Sequence, residues 1–170
     1  MKRLSVAYYI VLAFALILLQ VTIFSNIALW GVATPFLFIY LIMKLPVSVS
    51  PNKVMTIAFF VGLTIDIFFS TPGVYSLSSV ITAFMRKPFI TLVLQHEDDY
   101  GTMYPSIKSL GIAPFTVFAL ITSLTFTSAV FIIQSFSLYN PLYLVLKIAT
   151  STLFTYILIM AAEYILKERR

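Results

Sequence analysis

Long apolar stretches are the feature that most limits how this chain can fold. Residues 6–19 contain no charged or amide side chain, and further apolar blocks of similar or greater length follow. A helix needs roughly 20 apolar residues to cross the hydrocarbon core of a bilayer, which is about 30 Å thick. Blocks of this length predict that the chain folds in lipid and not in water.

The composition supports the same prediction. Hydrophobic residues make up 61% of the 170 residues and charged residues 10%, whereas soluble domains average roughly 45–50% and about 25%. Too few polar side chains remain to cover a water-facing surface. Backbone polar groups must be satisfied inside lipid, and barrel strands would show alternating apolar and polar residues. The continuous apolar blocks therefore predict an all-α integral membrane protein.

The apolar blocks are expected to form one membrane domain, a bundle of six transmembrane helices. Prolines, turn sequences and charged residues separate the blocks, and the fourth is expected to stop at Arg86-Lys87-Pro88 because proline opposes helix continuation. An N-terminal signal peptide is the alternative for the first block, but its apolar run continues beyond the small-x-small triplet Ala13-Phe14-Ala15. The predicted helices are residues 5–24, 34–45, 53–69, 75–87, 112–136 and 141–166.

The basic residues predict the orientation of this bundle. Lys and Arg concentrate in loops that stay in the cytoplasm, and every second loop of this chain carries them. The alternate loops, residues 25–33, 70–74 and 137–140, carry no charge. The pattern predicts six crossings of a bacterial cytoplasmic membrane with both termini in the cytoplasm. The residues expected at the cytoplasmic boundary are Lys44, Lys53, Arg86 and Lys87.

Besides these four boundary residues, three charged residues fall within the predicted helices and need a physical reason, since each costs roughly 2.5–3.5 kcal/mol at a helix centre. Asp66 and Lys147 lie at matching depths near the outer ends of their helices, and we expect them to form an ion pair. Glu163 lies four residues before Lys167, a spacing that predicts a salt bridge at the inner interface.

Two glutamines, Gln20 and Gln134, lie at the same predicted level as Asp66 and Lys147. Together the four side chains are expected to form a polar cluster in the outer half of the bundle. The cluster could hold the helices together, or it could bind a small molecule or an ion. Small residues at four-residue spacing, such as Ala119, Ser123 and Thr127, favour close helix packing.

The sequence lacks the side-chain patterns of the common enzymes. It contains no cysteine, which excludes a disulfide framework and a thiolate metal site. His96-Glu97-Asp98-Asp99 has no second histidine or cysteine to complete a metal site, so we expect a solvated loop. The net charge of +5 comes from scattered residues and does not indicate a nucleic-acid partner. We expect a protein without catalytic activity, cofactor or metal.

Several short motifs together point to a known family. They are Leu18-Leu19-Gln20-Val21-Thr22, Pro35, Gly62-Leu63-Thr64-Ile65-Asp66 and Pro72-Gly73. In these motifs, in its length, in its six predicted crossings and in the basic residues after the fourth helix, the chain resembles the MreD family of rod-shape-determining membrane proteins. Family members commonly have an acidic residue after the proline that opens the second helix, and here Phe36 takes that place.

This resemblance implies a non-catalytic component of the cell-elongation complex, which inserts peptidoglycan along the side wall. It implies an architecture similar to the substrate-binding subunits of energy-coupling-factor vitamin transporters. It implies MreC as the main partner, with a class B penicillin-binding protein, RodA and MreB in the same complex. A small-molecule-binding transporter subunit with the same helical arrangement is the alternative, and a lipid-modifying enzyme ranks below both.

Overall fold

The computed structural model describes residues 6–24, 34–94, 103–135 and 141–168. All regular structure in these ranges is helical. Two of the uncharged loops, the group His96 to Asp99 and both termini lie outside the described residues. The elements are α1 (Val6–Leu19, continuing as a π-helix, Gln20–Phe24), α2 (Ile39–Lys44), α3 (Pro51–Phe69), α4 (Val74–Val93), α5 (Ile107–Leu110), α6 (Ile112–Gln134) and α7 (Pro141–Glu168).

Three of these helices are long and apolar enough to cross a membrane. They are Pro51–Phe69, Ile112–Gln134 and Pro141–Ile165. The prediction of an all-helical membrane protein is confirmed at this level. Large apolar side chains such as Phe14, Phe60, Ile67 and Leu153 are exposed on the surface. Exposed apolar side chains of this size are stable in contact with lipid or with another protein.

Helix α4 is longer than predicted, because it continues through Pro88 to Val93. The prediction that this helix stops at Arg86-Lys87-Pro88 is therefore wrong. Proline removes one helical hydrogen bond, but Ile90 and Val93 beyond it are buried. Packing of this last part against the protein offsets the lost bond.

Helix α2 is shorter than predicted and lies inside the protein. Its six residues rise only about 9 Å, a third of a hydrocarbon core. Residues 35–45 are all buried, so this segment is enclosed by other helices. Non-helical backbone at membrane depth is tolerated where it is buried in protein.

Contacts of α2 with its neighbours define two ends of the molecule. At the end that we call the Lys44 end, the Tyr9 hydroxyl donates to the Lys44 carbonyl at 3.4 Å, and Glu163 of α7 binds the Lys44 side chain. At the opposite end, Gln20 of α1 binds Pro35. The segment 34–45 therefore runs antiparallel to α1 and parallel to α7.

An aromatic cluster fills the core between these helices. The Phe36 ring lies 5.3 Å from that of Phe126, 5.9 Å from that of Tyr75 and 6.1 Å from that of Phe131, between ring centroids. Phe38 adds an edge-to-face contact with Phe126 at 5.2 Å. The position at which the resembled family commonly has an acid is thus part of an apolar core.

Candidate functional site

Asp66 is buried, with 3% of its surface exposed, and binds the first turn of α4. Its Oδ1 accepts from the Tyr75 amide and its Oδ2 from the Ser76 amide, both at 2.9 Å. The Thr71 hydroxyl donates to Oδ1 at 3.2 Å. The first amides of a helix have no partner within it and carry partial positive charge. Asp66 supplies both a hydrogen-bond acceptor and the opposite charge. We call the end of the molecule that contains this contact the Asp66 end. It lies opposite to the Lys44 end, because the Tyr75 ring packs against Phe36, next to Pro35.

Gly62 lies one turn before Asp66 and lets the two helices come this close. A Cβ atom at Gly62 would lie 2.5 Å from the Ser76 Cα and 2.7 Å from the Tyr75 carbonyl oxygen. The turn that follows uses the left-handed conformation at Ser70 and at Gly73, with φ of 53° and 86°. Gly62, Asp66 and Gly73 therefore together hold α3 against α4.

Lys147 does not pair with Asp66, so that prediction is wrong. Its Nζ lies over the Phe131 ring, 4.7 Å from the centroid, a cation–π geometry that stabilises a cation away from water. Asp66 is instead occupied by donors of its own hairpin. Free backbone amides occur at the start of every helix, whatever its side chains. The sequence alone therefore could not show whether Asp66 binds such amides or a lysine.

The separation of Asp66 from Lys147 predicts additive mutational effects. We expect the losses of unfolding free energy for Asp66→Asn and Lys147→Met to add within about 0.5 kcal/mol in the double variant, as for residues that share no partner. The measurement is reversible unfolding of the purified protein in mixed micelles. A coupling above about 1 kcal/mol would restore the predicted ion pair.

Gln20 joins α1 to the buried segment that leads into α2. Only 2% of Gln20 is exposed. Its Nε2 donates to the Pro35 carbonyl at 2.9 Å, and its Oε1 accepts from the Leu37 amide at 2.9 Å. These two backbone groups have no partner within a helix, and the Gln20 side chain provides one for each.

Helix α7 binds the same segment from another side. The Ser151 hydroxyl accepts from the Thr34 amide at 3.0 Å, and the Thr155 hydroxyl accepts from the Phe36 amide at 3.1 Å. The four-residue spacing of Lys147, Ser151 and Thr155 predicted close helix packing and no hydrogen bonds from these hydroxyls to the backbone. The irregular Pro35 segment nearby is the signal that backbone amides here need outside acceptors.

Loss of Gln20 should therefore destabilise the protein. Gln20→Leu leaves two buried backbone groups unpaired, and we expect a loss of about 1–3 kcal/mol in unfolding free energy. Asn52→Leu is the matched control, because Asn52 is an exposed amide side chain and its replacement should cost less than about 0.5 kcal/mol. Thermal unfolding in detergent compares the two variants. Equal losses would contradict the role given to Gln20.

No hydrogen bond or ion pair joins the four residues of the predicted polar cluster to one another in the described part of the chain, although Asp66 and Gln134 both contact Tyr75. Gln20 binds backbone, Asp66 binds α4, and Lys147 contacts an aromatic ring. Gln134 lies within hydrogen-bonding reach of the Tyr75 hydroxyl. The contacts of Gln20 and Asp66 join one chain segment to another, which is the arrangement that a helix-joining role requires.

A second polar group lies at the Lys44 end, and the sequence analysis missed it. Lys44 is 8% exposed and Glu163 4% exposed, and the Lys44 Nζ lies 2.5 Å from the Glu163 Oε2. The Tyr40 hydroxyl donates to the same oxygen at 2.6 Å. The Pro105 carbonyl accepts from Lys44 at 3.2 Å, and the Ile107 amide donates to the Glu163 Oε1 at 3.3 Å.

Arg86 of α4 completes this end by binding the end of α2. Its Nη2 donates to the carbonyl oxygens of Leu45 and Met43, where a helix leaves acceptors free and favours a cation. Arg86 is 4% exposed. The guanidinium therefore caps α2 in place of further helical turns.

The predicted boundary residues thus divide into two kinds. Lys53 and Lys87 are exposed, whereas Lys44 and Arg86 are buried against other helices, and the position of all four at the membrane boundary stays a prediction. Glu163 was expected to pair with Lys167, whose side chain lies outside the described part of the chain. Its carboxylate is instead bound by Lys44, because α2 presents a lysine directly to α7.

Comparison of the chain with models of protein families, with curated proteins and with solved structures gives no match.

Proposed function

We propose that this protein is a non-catalytic membrane component of the bacterial cell-elongation complex, of the kind that the MreD family represents. In this proposal it maintains rod shape by binding MreC and supporting side-wall peptidoglycan synthesis. It crosses the cytoplasmic membrane six times, with both termini in the cytoplasm. The observation that carries the proposal is the buried, fully engaged carboxylate of Asp66.

The state of Asp66 separates a scaffold from a transporter subunit. A transporter would present its intramembrane acid to a cavity that substrate can enter. Asp66 is 3% exposed and accepts three hydrogen bonds within its own hairpin. Its charge stabilises the joint between α3 and α4, which a scaffold needs and a substrate site does not.

The alternating direction of the helices supports the six crossings. Helix α1 runs from the Lys44 end to the Asp66 end, and the segment 34–45 runs back. Helices α3 and α4 form an antiparallel pair joined at Asp66. Exposed Lys53 and Lys87 belong to the parts of this pair that lie far from Asp66, where cytoplasmic positive charge is expected.

The resembled family supplies the expected partner. MreC would present a single membrane helix to this bundle. The exposed apolar side chains of the long helices offer a surface of matching chemistry, since helix association in lipid depends on packing. Residues of α7 that are exposed and apolar include Leu146, Leu153 and Ile157.

Depletion of the full chain in its native host, followed by microscopy, tests the function. We expect rod-shaped cells to become round, and we expect tagged protein to co-purify a protein with one membrane helix and a coiled-coil periplasmic domain. Complementation with wild type should restore rods. Unchanged shape with loss of uptake of a nutrient, or co-purification of a small ligand alone, would replace this proposal with the transporter subunit.

A further inference from the structure

A small cavity lies at the Lys44 end, between the start of α3 and the second half of α4. Its volume is about 100 Å³, and ten residues line it: Val47, Ser48, Val49, Ser50, Pro51, Val54, Ala83, Arg86, Lys87 and Ile90. Drug-sized and vitamin-sized ligands occupy roughly 300–1,000 Å³. The cavity has room for a small polar group and not for a whole vitamin.

The start of α3 forms one wall of this cavity through Ser50 and Pro51. Ser50 is the N-cap residue, and its side chain makes no capping hydrogen bond. Pro51 follows it and has no amide hydrogen, so the amides of Asn52 and Lys53 are the first donors of the helix. A helix of 19 residues carries partial positive charge at this point, which favours an anion.

Arg86 provides an independent sign of a missing ligand. It lines the cavity and is 4% exposed, and among the described residues only its Nη2 has hydrogen-bond partners. Its Nη2 is used by the end of α2. A buried guanidinium that keeps an unpaired donor costs free energy until an acceptor arrives.

The charge of the lining selects the sign of the ligand. Arg86 and Lys87 contribute two positive charges, Ser48 and Ser50 contribute hydroxyls, and no described lining residue is acidic. Guanidinium, ammonium and hydroxyl groups beside the positive end of a helix form a donor set that suits phosphate. A metal cation would find no carboxylate here.

We propose that this cavity binds a phosphate group. The group can belong to an anionic phospholipid, whose headgroup lies at this depth if the Lys44 end faces the cytoplasm, or to a free phosphorylated compound. Basic pockets between membrane helices bind lipid headgroups through the same chemistry. The proposal does not depend on the role of the protein in cell elongation.

Three probes added to the full chain in maltoside detergent test the proposal and separate the sources. Dioctanoyl phosphatidylglycerol carries phosphate and acyl chains, dioctanoylglycerol carries the chains alone, and inorganic phosphate carries neither chain nor glycerol. A ligand that binds the folded state raises the unfolding temperature with its concentration. We expect phosphatidylglycerol to raise it in a saturable way and dioctanoylglycerol to leave it unchanged.

Two variants connect that effect to the cavity. Lys87→Gln removes an exposed lining charge and should weaken binding about tenfold, and Ala83→Leu should fill the cavity and abolish the effect. Lys108→Gln is the matched control, since it removes an exposed charge that does not line the cavity. Arg86 is left intact because it also caps α2.

The outcomes are distinct. Saturation by phosphatidylglycerol that is weakened about tenfold in Lys87→Gln, absent in Ala83→Leu and kept in Lys108→Gln supports a lipid phosphate. An equal effect of inorganic phosphate supports a soluble phosphorylated compound. Equal effects of phosphatidylglycerol and dioctanoylglycerol, no effect of any probe, or an effect that both lining variants retain would overturn the proposal.

Discussion

Replacement of Glu163 by glutamine, or of Lys44 by methionine, will lower the free energy of unfolding by about 3–5 kcal/mol each. Each single change leaves the other charge buried without its partner, since the two atoms lie 2.5 Å apart and both residues are almost fully enclosed. Reversible unfolding in mixed micelles, followed by circular dichroism, measures the loss.

The double variant isolates the pair from general damage. Lys44→Met with Glu163→Gln removes both charges, so its loss should fall well below the sum of the single losses, with a coupling of about 2 kcal/mol or more. Lys53→Met is the control, because Lys53 is exposed on α3 and should change stability by less than about 0.5 kcal/mol. Additive losses would show that the pair contributes nothing as a pair.

Gly62→Ala will destabilise the protein by about 3 kcal/mol, the upper part of the range for overpacked cores. The added Cβ would meet backbone atoms of Tyr75 and Ser76, which cannot move aside as a flexible side chain can. The same displacement would lengthen the hydrogen bonds that Asp66 makes to those residues. Unfolding temperature and unfolding free energy both report the change.

The sign of the Gly62→Ala effect is informative. In the middle of an unconstrained helix, the change from glycine to alanine stabilises by roughly 1 kcal/mol. Ile67→Ala on the same helix is the control, since that side chain is 71% exposed and should be tolerated. A neutral or stabilising Gly62→Ala would mean that α4 does not approach α3 as closely as described.

The long helices could be predicted from the sequence because lipid imposes a simple requirement. Apolar runs of sufficient length must be helical, and α3, α6 and α7 begin and end within a few residues of the predicted positions. Asp66 could also be singled out, since a carboxylate in such a run is costly. Its partners could not, because backbone amides are present at every position and only the fold brings Tyr75 and Ser76 to it.

The buried ion pair of Lys44 and Glu163 could not be predicted from the sequence for a different reason. A lysine at the end of a hydrophobic segment has the same sequence pattern whether it faces water or a neighbouring helix. Lys44 and Lys53 are thus alike in sequence, yet one is buried and the other exposed. Glu163 had a plausible partner four residues away, and the lysine that binds it is 119 residues distant. Local spacing contains no information about such a contact.

The enclosure of α2 restricts the order in which the chain can mature during synthesis. The Thr34 and Phe36 amides find their acceptors 117 and 119 residues later, in α7. Lipid offers no substitute for those acceptors. Synthesis must therefore continue through α7 before the segment that leads into α2 can fold completely, and chains that terminate before α7 leave its backbone amides unpaired and exposed to quality-control proteases.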